Sequence, residues 1–474
     1  MTFLPEDGFP LCSIPKAYAT DRPDQVAVRC GNEELTWSQL HLASNRVAHG
    51  LRERGVAPGW IVSLLLPNSC AAIVALFACY KAGAIPQPLS ARLAEQERRE
   101  ILELADPGAV LEGTAAVDEL SGYSDADLPE VIAPSWKAPT SGGSTGRPKI
   151  ILAGREAVYR GLDALVWGIE PGERLLLPAP LHHNAPLCVA SYALFGGGTV
   201  TMLERFDPEA TLAAVAPNAI SWLYLVPTMM RRIEALSRSV RTGYDLSSLR
   251  MVWHVAAPCP PATKRAWIDW LGPERIWELY AGTEAQAGCT ISGTEWLEHP
   301  GSVGAQTWGE LALFDEEGAR VTTPRTPGEV YTRVTPGEPA SYRYIGAEAK
   351  ELQGWASLGD VGEFDEDGYL YLHDRLTDMI LVGGVNVYPA EVENAILEHP
   401  GALSCAVIGL PDGDLGSRVH AIVEAAGVTE SELAAHLEPR LSAHKRPRTF
   451  ELVTEPLRDD TGKVRRAALR AARM

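Results

Sequence analysis

The sequence predicts an α/β fold in two parts, and three observations carry that expectation. Before about Gly301, short apolar runs of strand length alternate with helical stretches, the pattern of a parallel sheet flanked by helices. Beyond Gly301, β-type runs are joined by acidic turns that contain glycine, which reads as hairpins. The final stretch forms a unit of its own. The boundary falls near Asp378, dividing the chain into 1–377 and 378–474.

Each element follows from local pattern. "LTWSQLHLASNRVAHGLRERGV" places Leu40, Ala43, Val47 and Leu51 at helical spacing and closes at Gly55. "WIVSLLLPNS" is a short continuous apolar run, hence a buried strand. "CAAIVALFACYKAG" is a second helix and "AIPQPL" the end of a second strand. The alternation returns with "ERLLLPAPL" and "AISWLYLVP" as strands, "PTMMRRIEALSRS" as a helix and "LRMVWHVAAP" as a strand. "GELALFDEEGARV", "GEVYTRV" and "GEFDEDGYLYLHDR" are the hairpin strands. "MILVGGVNVYPAEVENAILEHP" reads as strand, glycine turn and a helix entered at Pro389, a favoured first-turn residue. "ALSCAVIGLPD" and "SRVHAIVEAA" are strands. "TESELAAHLEPRLSAHKRP" is a helix opened by a capping box.

Composition narrows the function. The chain has 474 residues, 46% apolar and 22% charged, an ordinary globular balance with room for a large core. Lys plus Arg is 42 and Asp plus Glu is 61, so the formal charge is 42 − 61 = −19. That acidity disfavours nucleic acid and anionic membranes as partners. The longest apolar stretch, "CAAIVALFACYKAGAI", contains Lys81 and is too short to span a bilayer. The eight cysteines form no C-x-x-C pair, and the start of the chain lacks a basic-then-apolar leader. A reducing cytoplasm is the expected location.

One stretch carries chemistry on its own. "APTSGGSTGRPKI" sets Gly142, Gly143 and Gly146 among Ser141, Ser144 and Thr145, with Lys149 behind Pro148. Glycines let backbone N–H groups face an anion, hydroxyls add donors, and lysine adds charge. The alternative is a flexible Gly/Ser linker.

Further segments decide between them. "PLHH" ends at His183, "YAGTE" runs from Tyr280 to Glu284, and "LGD" ends at Asp360. "DRLTD" holds Arg375 and Asp378, "GGVNVYPAEVE" begins at Gly383 and Gly384, and "PLRDDTGK" ends at Lys463. In this order the segments resemble the motifs of the adenylate-forming superfamily, which comprises acyl-CoA synthetases, adenylation domains and luciferases. The chain is also similar to the branch with bile-acid and steroid CoA ligases.

The resemblance implies a large N-terminal domain of α/β subdomains with a β-barrel-like part, and a small mobile α+β C-terminal domain. It implies attack of a carboxylate on the α-phosphate of ATP, then transfer of the acyl group to a thiol. On this basis Lys463, Thr283 and His183 are the candidate catalytic residues, with His182 competing for the gate role of His183. The candidate nucleotide site comprises Ser141 to Gly146, Lys149, Ala256, Ala257, Pro258, Tyr280, Ala281, Gly282, Asp360 and Arg375. Glu284, with Thr145, is the candidate magnesium site, since Mg²⁺ takes one or two carboxylates plus phosphates. Asp378 is the hinge, and Gly383 and Gly384 flank the thiol tunnel. Pro186, Gly197, Val226, Trp253 and Ala287 are expected to line the acid pocket.

The chain departs from the family pattern at Ile150, Ala281 and Leu358, none of which removes a charge the reaction needs. The expected substrate is a bulky alicyclic, polycyclic or aromatic acid, with medium-chain fatty acids as the open alternative. Coenzyme A is the expected acceptor, with a carrier-protein thiol or an amine as alternatives. A nucleotide-binding protein without catalysis is the reading of a different class.

Overall fold

The computed structural model describes residues 8–142, 148–375, 378–383, 385–413, 415–425, 427–458 and 462–474. Strand β1 (Val26–Cys30) precedes helix α1 (Trp37–Glu53), which Thr36 opens with a capping box to Gln39. Then come β2 (Ile61–Leu65), α2 (Cys70–Ala82), β3 (Ile85–Pro88), α3 (Glu95–Ala105) and β4 (Ala109–Glu112). Strands β3, β2 and β4 form a three-stranded parallel sheet in that order. Helix α2 is buried almost all round, so its pattern is continuous rather than one-sided.

Strands β5 (Thr140–Gly142) and β6 (Pro148–Ala153) flank the glycine-rich stretch. They are followed by β7 (Arg174–Leu177), α4 (Asn184–Phe195), β8 (Thr199–Met202), β9 (Trp222–Leu225), α5 (Pro227–Glu234), β10 (Met251–His254), α6 (Pro261–Leu271) and β11 (Ile276–Ala281). Their parallel order is β1-β8-β7-β9-β10-β11. The stretch "PTMMRRIEALSRS" is broken: α5 stops at Glu234, and Ser237 caps a separate short turn.

The β-rich region supplies β12 (Gly288–Ser292), β13 (Gly304–Trp308), β14 (Glu310–Phe314), β15 (Gly328–Arg333), β16 (Tyr342–Ile345), β17 (Trp355–Phe364) and β18 (Tyr369–Arg375). All but β16 continue the large sheet, because β12 pairs antiparallel with β11. Strand β16 instead joins β6 and β5 in a three-stranded sheet.

The C-terminal part contains the hairpin β19 (Ile380–Val382) and β20 (Val385–Val387), then α7 (Pro389–Leu397), β21 (Ala402–Asp412), β22 (Gly416–Ala425), α8 (Glu430–Leu437) and β23 (Thr449–Val453). Its core, from Ile380 to Leu441, shares no residue with the main core. Helix α8 has the expected capping box from Thr429 to Glu432 but stops at Leu437, two residues before Pro439. Proline disfavours helical backbone at the residue before it.

All eight cysteines are free, and seven are buried. Among the described residues no helix is long and apolar enough to cross a membrane.

Candidate functional site

Parallel α/β sheets bind ligands beyond the carboxyl ends of their strands, and the candidate residues gather there. His182 and His183 follow β7, Val226 follows β9, Ala256 to Pro258 follow β10, and Tyr280 and Ala281 end β11. Ala256 has φ 75° and is exposed, a left-handed conformation uncommon for alanine that concentrates at functional loops. His183 is the N-cap of α4.

A carboxylate stands against these ends. Asp360 on β17 accepts from the Tyr280 hydroxyl at 2.7 Å and pairs with Arg375 Nε at 3.3 Å. Asp360 and Arg375 are register partners across β17 and β18. Burial raises the Asp360 pKa, against the lowering effects of Arg375, Tyr280 and Lys463. A carboxylate has about four acceptor positions, so Asp360 keeps capacity for a ligand's hydroxyls.

Lys463 reaches this site from the C-terminal part. Its charge lowers the pKa of Asp360 and that of His183. The His183 imidazole is pushed down to about 2, by burial first, then by His182 and by Lys463. It is therefore neutral. Gly462, with φ +77°, lies against Thr228, where a Cβ would come within 3.2 Å of the hydroxyl.

The second cluster lies by the glycine-rich stretch. Lys149 Nζ is 3.2 Å from Glu284 Oε1 and donates to the Tyr344 hydroxyl at 2.7 Å; the Tyr344 hydroxyl in turn donates to Glu284. The Lys149 and Glu284 side chains are only 21% and 12% exposed, so this pair is held in a recess. Glu284 Oε2 leans over Gly282, where a Cβ would approach it to 2.8 Å and would also meet Leu358. A side chain at 282 would crowd that oxygen, so the glycine leaves room for the carboxylate, the donor type that suits a divalent cation. Thr283 and Glu284 sit in a turn closed by Ala285 N–H donating to Gly282 O.

Tyr344 was not evident from sequence. It lies on β16, across from Ile151 of β6. The alternating "YRYI" was the only available sign, and it is equally the mark of an ordinary half-buried strand.

Of the acid-pocket candidates, some lie apart and some at the strand ends. Gly197 is not at the pocket: it follows the C-terminal end of α4, on the amino-end side of β8 and opposite to His183. Its φ of +72° makes the turn, and a Cβ there would meet the Tyr18 ring at 2.6 Å. Trp253 is 1% exposed and stacks between Trp222 and Trp277, with centroids at 6.4 and 5.5 Å. Ala287 is buried with Cys289 and Leu370 in the β-rich core. Pro186 is buried in the first turn of α4, and Val226 is buried near Gly462.

Asp378 N–H donates to Arg375 O, and its carboxylate accepts from Arg466 at 2.9 Å. Gly383, at φ +56°, donates to Leu415 O at 2.9 Å. Ser141 and Gly142 belong to β5. Gly143, Ser144, Thr145, Gly146 and Gly384 lie outside the described residues.

Comparison with known proteins shows the family. Residues 16–136 and 138–337 match the AMP-binding enzyme family, and residues 391–463 match the AMP-binding enzyme C-terminal domain. The chain is 35% identical to a feruloyl-CoA synthase from Amycolatopsis sp, covering 97% of this chain and 98% of the relative. It is 31% identical to the fatty acid–[acyl-carrier-protein] ligase ScoC of Streptomyces coeruleorubidus, covering 96% and 94%. In structure it resembles o-succinylbenzoate CoA synthetase (MenE) from Bacillus subtilis. Against the complex with the acyl-adenylate OSB-AMP the TM-score is 0.82, with 26% identity, covering 97% and 98% of the two chains. Against the complex with ATP and magnesium ion the TM-score is 0.81, with 26% identity, covering 96% and 99%.

Proposed function

The chain belongs to the AMP-binding enzyme family, and on that premise we propose that it is an ATP-dependent, AMP-forming acyl-CoA ligase. It activates a carboxylic acid as acyl-AMP with release of pyrophosphate, then passes the acyl group to coenzyme A. What supports this reading is the carboxylate of Asp360, held by Tyr280 and Arg375 at the strand ends, together with the packing of Gly462, the residue before Lys463, against Thr228 and Val226. A carboxylate and a triphosphate repel each other, so reaction requires positive charge where negative charge accumulates. Lys463 supplies it between the acid and the α-phosphate, while Asp360 accepts from the ribose hydroxyls. Tyr280, held by its hydroxyl to Asp360, offers its ring to the adenine.

Lys149 sits where it can hold the departing pyrophosphate. Glu284 is the residue suited to a magnesium ion, which would neutralise phosphate charge when bound. His183, neutral and at the mouth of α4, guards the entry of the acid.

The substrate class is an aromatic or alicyclic acid. Similarity to a feruloyl-CoA synthase supports a hydroxycinnamate-like acid, and the similarity to ScoC keeps a carrier-protein thiol as an acceptor to be tested. The free, mostly buried cysteines support a cytoplasmic location.

The test is acid-dependent pyrophosphate exchange with a panel of hydroxycinnamic, benzoic, alicyclic and medium-chain acids. Exchange with an aromatic or alicyclic acid, followed by acyl-CoA detected by mass, is the expected result. ATP binding without exchange for any acid would overturn it. An acyl-loaded carrier protein in place of acyl-CoA would reassign the acceptor.

A further inference from the structure

We propose that Arg231 is a positioning residue: from the large domain it grips the C-terminal end of α7 and so seats Lys463 at the site. Arg231 lies on α5. Its Nε donates to Leu403 O at 3.2 Å, its Nη1 to Leu397 O at 3.1 Å and to Thr263 Oγ1 at 3.3 Å, and its Nη2 to Ala402 O. Leu397 is the last residue of α7, so its carbonyl has no partner within the helix. A cation there is also favoured by the helix dipole. Three carbonyls of one domain thus converge on one guanidinium of the other, whose fixed fork of five donors suits the task.

The grip is connected to Lys463. One turn back on α7, Glu393 accepts from Arg466 at 2.7 Å, from Arg458 at 2.9 Å and from Val407 N–H at 2.9 Å. Arg458 also donates to Gly462 O at 2.9 Å. Gly462 precedes Lys463 and rests against Thr228, three residues before Arg231 on α5. The path is a closed ring: α5 through Arg231 to α7, through Glu393 and Arg458 to Gly462, and back to α5 at Thr228. Two ion pairs across the two parts, among the described residues, have exposed arginines. Arg232–Glu424 spans 3.5 Å with the arginine 43% exposed, and Arg465–Glu97 spans 3.6 Å with the arginine 71% exposed. Such pairs contribute little, whereas removing Arg231 strands three carbonyls at once.

The functional part of this inference rests on the proposed role of Lys463; the docking part does not. The test therefore has two readouts. Glu97→Cys and Arg465→Cys place a pair for a short bis-maleimide across the interface, and seven of the eight native thiols are buried. Adding Arg231→Ala should slow cross-linking about tenfold, since the carbonyls it satisfied are left unpaired. In the otherwise native chain, Arg231→Ala should lower pyrophosphate exchange by about 100-fold, the scale of an ångström-sized misplacement. Conversion of a supplied acyl-adenylate with coenzyme A should change little. Arg231→Lys, which keeps the charge but not the fork, should recover part of both losses.

Unchanged cross-linking in Arg231→Ala would overturn the proposal. So would equal loss of both half-reactions in a variant whose thermal melt shows general unfolding. Slowed cross-linking in a protein that exchanges with no acid would support the clamp and refute the proposed reaction instead.

Discussion

At the scale of single residues, the proposed reaction gives two lysines opposite ends of the triphosphate. Lys149 is tied to Glu284 and Tyr344, while Lys463 is felt by His183 and Asp360. Lys463→Ala should lower pyrophosphate exchange by about 10²–10³-fold, the range for losing one preorganised electrostatic contact. Transfer from a supplied acyl-adenylate to coenzyme A should survive. Rapid-quench assay of the two half-reactions separates these outcomes, and equal loss of both would refute the assignment. His183 makes a pH prediction. With its pKa held at about 2, it is neutral throughout the working range. His183→Ala should therefore lower the exchange rate without shifting the limbs of the rate–pH profile. The stability sign follows from linkage. The unfolded chain protonates this imidazole near pH ~6.5 and the folded chain refuses the proton. Stability present above that pH is therefore lost progressively as pH falls toward the folded value. His183→Gln should lose less stability than the parent between about pH 7 and pH 5, measured as urea midpoints.

At the scale of elements, most of the architecture was legible because period and punctuation agree. Leu40, Val47 and Leu51 mark one helix face, Pro389 opens α7, and Thr429 with Glu432 opens α8. Helix ends were less legible: "PTMMRRIEALSRS" hides a break before Ser237, and α8 ends ahead of Pro439. Charge and chain order single out Lys149, Glu284, Asp360 and Lys463 as candidates, and the structure brings Lys149 to Glu284 and Asp360 to Tyr280 and Arg375. The site was not legible at Tyr344, which reaches Lys149 only because β16 pairs with β6 across a long sequence separation. Gly197 failed for the converse reason. It is only fourteen positions from His183 in sequence, but a twelve-residue helix separates the two, about 18 Å at 1.5 Å per residue. Its glycine is explained by φ +72° and the Tyr18 ring. Gly197→Ala should thus destabilise the protein by about 1–3 kcal/mol, as for strain or overpacking at such a position, and leave the preference among acids unchanged. Thermal melts and the acid panel together check this. A changed acid preference at unchanged stability would return Gly197 to the pocket.

At the scale of the whole molecule, the main core and that of the C-terminal part share no residue, and the hydrogen bonds of Arg231 run between the two parts. The main core is assembled around Trp37, Trp222, Trp253 and Trp267, and the small one around Ile396, Val407, Val423 and Leu433. Hydrophobic stabilisation scales with buried apolar area within each core, and a domain with its own core can in principle fold alone. The small domain should therefore melt as its own unit. Ile396 is fully buried there, so Ile396→Ala should cost about 2–5 kcal/mol from transfer and cavity terms. In differential scanning calorimetry only the transition of the small domain should move, while that of the large domain keeps its midpoint and enthalpy. Both transitions moving together would mean that the clamp at Arg231 couples the two cores into one cooperative unit. In that case Arg231→Ala should separate them again, because it removes the contacts through which the coupling would act.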